Sequence, residues 1–96
     1  MGNRDANHGA LARVYESLGC VVIDTHGQGF GFPDAVVGLV GVTELVEFKT
    51  EGEHPNAAQR TFIDAWRGSK VRIVRSSQDV FDHVAEVRKR VSGARL

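Results

Sequence analysis

The sequence predicts an α/β domain in which one mixed four-stranded sheet carries helices on both faces. Three observations lead there. Apolar residues recur at helical spacing in three segments, β-branched residues concentrate in four short runs between them, and glycines and polar clusters fall at the joints. Ninety-six residues make one domain and leave no room for a second core.

The first helix runs from Asp5 to Leu18, with Leu11, Val14 or Tyr15, and Leu18 on one side and Gly19 placed to end it. "CVVIDT" reads as a strand. "HGQGFGF", His26 to Phe32, holds three glycines and must be a loop with unusual backbone angles. "DAVVGLV" and "VTELVEFK" are two strands joined tightly around Val40-Gly41, apolar almost throughout, as expected when both faces of a sheet are covered. After the polar "TEGEHPN", a helix runs from Asn56 to Trp66 with Ala58, Phe62, Ala65 and Trp66 along one face and Gly68 ending it. "KVRIVR" is the fourth strand, in which Val71, Ile73 and, at its end, Arg75 alternate with Lys70, Arg72 and Val74. Ser76 or Ser77 then caps a last helix whose buried stripe is Val80, Phe81, Val84, Val87 and Val91.

Composition narrows the function. A chain 42% hydrophobic and 25% charged is not disordered. No apolar run approaches the roughly 20 residues that span a bilayer, and "MGNRDANHGA" lacks the apolar stretch of a signal peptide. Cys20 is the only cysteine, so an internal disulfide and a cysteine-based zinc site are excluded; a cytosolic setting is expected. Twelve basic residues balance twelve acidic ones, which argues against a protein that coats nucleic acid by charge. It does not argue against an enzyme whose carboxylates hold cations. His8, His26, His54 and His83 show no ligand-like spacing and read as surface or loop residues.

Three charges stand inside the most hydrophobic segment: Asp34, Glu47 and Lys49. Residues two apart in a strand share a face, so Glu47 and Lys49 project together, roughly 7 Å apart, while Phe48 points into the core. With a two-residue turn at Val40-Gly41, Asp34 lies opposite Glu47, their β-carbons about 4.5–5.5 Å apart. A register shifted by one would break this arrangement. Two carboxylates this close repel, and a divalent cation resolves the conflict. Lys49 is then placed to steady charge developing on a phosphate. Asp34 also suits a turn after Pro33, and Glu47 with Lys49 suits a strand-end ion pair.

"PD" at Pro33-Asp34 followed by "EFK" at Glu47 to Lys49, after a first helix, resembles the PD-(D/E)XK nuclease motif, and the predicted order resembles that superfamily's restriction-endonuclease-like αβββαβα core. "RDANH", "GFPDAVVG", "AAQRTFIDAW" and "VRIVRS" resemble the small phage-type VRR-NUC nucleases, in segments covering nearly the whole chain. The resemblance implies an enzyme, with Asp34, Glu47 and the Phe48 carbonyl as metal ligands, Lys49 as the catalytic lysine, and Gln59 near the active site. The metal would be Mg2+, with Mn2+ able to substitute. Many relatives carry a glutamate in the first helix; here Gly9-Ala10 stands where it is expected.

Gln59 also reads as the third helical position of a capping box begun by Asn56. Asn7 fits either a contact to DNA or the site, or a helix cap. Gly27, Gly29 and Gly31 suit either backbone contact with phosphate or turns of positive φ. Arg60, with Arg67, Lys70, Arg72 and Arg75, supplies candidate DNA contacts on an otherwise solvated surface.

The resulting expectation is a magnesium-dependent DNA endonuclease of phage or bacterial origin, acting on branched DNA such as four-way junctions. A homodimer would use Tyr15, Ile63 and Val91 as its apolar interface. The alternatives are a non-catalytic DNA-binding or interaction module that keeps the fold, and a small phosphodiesterase.

Overall fold

A computed structural model describes the backbone of residues 2–94 and the side chains of residues 7–94. Helix α1 (Gly2–Ser17) leads through Gly19, at φ 89°, into β1 (Val21–Asp24). A short 3-10 turn (His26–Gln28) precedes β2 (Ala35–Leu39) and β3 (Val42–Phe48). Then come α2 (Ala57–Ala65), β4 (Arg72–Val74) and α3 (Ser77–Ala94). The four strands lie in the order β1-β2-β3-β4. The first three are antiparallel and β4 runs parallel to β3, so the sheet is mixed. A parallel pair needs a crossover, and the segment carrying α2 provides it.

The β2–β3 register is set by the turn. Val40 and Gly41 both have positive φ, 42° and 82°, which matches the twist of a two-residue hairpin. Leu39 therefore pairs with Val42 and Ala35 with Val46. One step beyond Ala35, the same register sets Asp34 across from Glu47.

On one face of the sheet, Leu11 and Tyr15 of α1 and Val80, Val84 and Val87 of α3 pack against Ala35, Val37, Val46, Phe48 and Val74. Lys49 points away from this core and meets Gln59 of α2 on the other side. Helices thus stand on both sides, but unequally. Val21 and Ile23 of β1 are exposed, because α2 is short and lies at the Lys49 end of β3. No helix among the described residues is long and apolar enough to cross a membrane.

Five expectations need correction. In α3 the buried stripe is Val80, His83, Val84 and Val87, with Val91 half-buried, while Phe81 is 45% exposed. Phe81 lies off the 3.6-residue period that joins the others, and a histidine occupies the place that the period reserves. Tyr15 is fully buried and cannot form a dimer interface. Val74 of β4 is buried, as is Val71 just before it, rather than facing away from the core. Helix α2 ends at Ala65, before Gly68, because Trp66 takes extended angles. There it stacks on Phe62 and donates its indole N–H to the Ser69 carbonyl. Only Gln59 of α2 is buried; Ala58 and Ala65 are exposed.

Candidate active site

Asp34, Glu47 and Lys49 are 4%, 0% and 3% exposed, so none is a solvated surface charge. Burial of charge is unfavourable unless partners replace water, and the partners here are specific. The Phe48 N–H donates to Asp34 Oδ2 at 2.9 Å, and His26 Nδ1 lies 3.0 Å from Oδ1. The Glu47 carboxyl stands beside Asp34 and interacts with it. Burial alone would raise the Asp34 carboxyl. The neighbouring Glu47, the bonds with His26 and the Phe48 N–H, and positive charge on His8 together outweigh burial and hold it below the usual carboxylate range. Two carboxylates in contact need a proton or a cation between them. A shared proton is one answer, and a metal ion would be the other.

The backbone aims Asp34 with little freedom. The Thr25 N–H donates to the Asp34 carbonyl and the Thr25 hydroxyl to the Pro33 carbonyl, both at 2.8 Å. These bonds close the glycine loop at its base. Gly29, Phe30 and Gly31 then follow with φ of 75°, 57° and 76°. A β-carbon on Gly31 would lie 2.2 Å from the Ala58 carbonyl oxygen. Gly31 is thus small so that α2 can approach, and its backbone is covered rather than open to phosphate. Around Gly29 there is open space.

Lys49 Nζ donates to Gln59 Oε1 at 2.9 Å. The same oxygen accepts the Asn56 N–H at 2.8 Å, while Asn56 Oδ1 accepts the Gln59 N–H at 2.9 Å. Gln59 is both the closing half of a capping box and the partner of Lys49, so its two readings hold together.

Two residues at this cluster were not foreseen. His8 of α1 places Nε2 4.0 Å from Asp34 Oδ2, and its ring packs on Phe48 with centroids 5.3 Å apart. His26 opens the 3-10 turn and donates its N–H to Asp24 Oδ1 at 2.9 Å. One donor atom from each of His8, His26 and Asp34 falls within 4.8 Å of the others. A cavity of about 230 Å³ lies beside them, lined by His8, Asp24, His26, Asp34 and Phe48 among others. His8 stands next to Gly9-Ala10, where a first-helix carboxylate was expected. No spacing rule signals the trio, since the residues lie on α1, a turn and the edge of β2.

The remaining candidates lie at the periphery. Asn7 is inside α1 rather than at its start, so it caps nothing; its buried Nδ2 has no hydrogen-bond partner among the described residues. Arg60 is exposed and donates to the Pro55 carbonyl at 2.6 Å.

Compared with protein-family profiles, with curated proteins and with solved structures, the chain matches none.

Proposed function

We propose that the chain is a divalent-metal-dependent DNA endonuclease of PD-(D/E)XK type. One observation carries the reading: Asp34 sits across from Glu47, both buried and interacting, with buried Lys49 two residues beyond Glu47 at the end of β3. The donor set fits a divalent ion, because two contacting carboxylates are paired only by a shared proton when no cation is present. Asp34, Glu47 and the Phe48 carbonyl would hold it. When bound, such an ion polarises a phosphoryl oxygen and acidifies a water.

The chain's own residues supply the rest. Lys49 presents a cation for charge developing on the phosphate, and Gln59 fixes its position from one side. The Phe48 N–H keeps Asp34 oriented. Gly29 leaves space for a phosphate to approach backbone N–H groups, and Arg60 offers a guanidinium on the exposed face of α2.

Resolving a branched substrate takes two matched nicks, and one such cluster makes one. The reading therefore includes a homodimer with a two-fold axis, which would also double a modest basic surface. Labelled duplex and four-way-junction DNA, incubated with and without Mg2+ or Mn2+, test the function. Metal-dependent nicking that favours the junction is expected. Sedimentation showing a monomer, with equal cleavage of both substrates, would remove the junction preference and leave the nuclease.

A further inference from the structure

We infer that His8, His26 and Asp34 bind a borderline first-row ion of the Zn2+ or Co2+ class in preference to Mg2+. The inference deepens the reading above, since it rests on Asp34 as a cation ligand and narrows which cation it takes.

Geometry comes first. Ligands around an ion with bonds of about 2.0–2.2 Å lie roughly 3–3.5 Å from one another. His26 Nδ1 and Asp34 Oδ1 already stand at 3.0 Å, and His8 Nε2 is 4.0 Å from Asp34 Oδ2. All three donor atoms fall within 4.8 Å of one another. The donors come from three places in the fold, and each is braced. His8 packs on Phe48 and meets the His26 ring edge-on at 5.8 Å. The His26 backbone is tied to Asp24, and Asp34 to Phe48. Access is provided by the adjoining cavity of about 230 Å³, which leaves room for water or substrate on the ion.

Donor chemistry then selects the ion. Mg2+ favours an all-oxygen octahedron and gives up its waters reluctantly, whereas imidazole nitrogen suits later first-row ions. Asp34 and Glu47 alone would offer only oxygen. Two imidazoles on the cavity side of Asp34 change the preference.

The test uses the full chain, stripped of metal, with calorimetric titration of Zn2+ and of Mg2+ and visible absorption of added Co2+. Zn2+ is expected to bind about 100-fold tighter than Mg2+ or more. Co2+ should show ligand-field bands that disappear in His8→Ala and His26→Ala. Zn2+ affinity should fall about 10-fold or more in each variant while Mg2+ affinity is unchanged. His54→Ala, on the exposed loop before α2, should alter neither. His26 is exposed, so its variant keeps the fold, which circular dichroism verifies; His8→Gln serves if His8→Ala does not fold. Zn2+ and Mg2+ affinities within tenfold of each other, or Zn2+ binding that survives the double histidine variant, overturn the inference. Mg2+-dependent nicking without Zn2+ or Co2+ binding overturns it too, and leaves the nuclease standing. Histidine-dependent Zn2+ binding without nicking under any ion supports it and removes the nuclease.

Discussion

The Lys49 ammonium donates to Gln59 Oε1 at 2.9 Å, and through that oxygen the candidate catalytic lysine is tied to the first turn of α2. One atom therefore serves both the helix start and the position of Lys49. Gln59→Ala should lower stability by about 1 kcal/mol, as loss of a cap does, and should also weaken nicking. Gln59→Glu keeps an acceptor for the Asn56 N–H and should retain stability, while binding Lys49 as an ion pair and lowering the cleavage rate. Chemical denaturation beside single-turnover cleavage checks both. Wild-type rate in a folded Gln59→Ala protein would mean that Lys49 is not positioned through Gln59.

Phe30 and Gly31 are neighbours with opposite expectations. Phe30 is 99% exposed and has φ 57°, a conformation that is unfavourable by about 1–2 kcal/mol for a residue with a side chain. Glycine removes that strain at an entropic cost of about 0.5–1 kcal/mol. Phe30→Gly should leave the melting temperature unchanged or raised. Gly31→Ala should lower it sharply, since the new β-carbon meets the Ala58 backbone as well as adopting φ 76°. Thermal melts of the two variants make the comparison.

A buried polar chain runs through the other face of the sheet. Tyr15 Oη lies 2.7 Å from His83 Nδ1, and His83 Nε2 lies 2.9 Å from Glu44 Oε1, which places the imidazole proton on Nε2. Burial pulls His83 below its ordinary value despite Glu44 beside it. Glu44 is lowered too, because hydrogen bonds from His83 and Arg90 outweigh its burial. The unfolded chain therefore binds more protons than the native one as each group titrates, and stability rises with pH. It should be fully present above the usual histidine value of about 6.5 and decline as pH falls, first through His83 and then through Glu44. Urea midpoints from pH 8 to 4 should show this, with a flatter profile for His83→Gln between pH 7 and 5. Tyr15→Phe should cost about 1–3 kcal/mol by stranding His83 Nδ1.

Much of this was legible in the chain, for a local reason. A two-residue turn at Val40-Gly41 determines which residues pair, so the Asp34–Glu47 juxtaposition follows from strand periodicity alone. The capping box of Asn56 and Gln59 is likewise a four-residue pattern. What local pattern does not carry is the path of α1 across the sheet, and that path brings His8 to Asp34. His83 escaped for the same reason, since its partners Glu44 and Tyr15 are 39 and 68 residues away. Phe81 is hydrophobic but lies off the buried period of α3, and position on the helix outweighs side-chain type there.

Cleavage by Glu47→Gln tests the central claim most directly. Glutamine keeps the size of the buried side chain and offers an N–H to Asp34, but it removes one of the two carboxylates proposed to hold the ion. Wild type should nick a labelled four-way junction only with a divalent ion present, and Glu47→Gln, folded by circular dichroism, should be slower by about 100-fold or more. Undiminished nicking by the folded variant, or no nicking by wild type with Mg2+, Mn2+, Co2+ or Zn2+, would contradict the account.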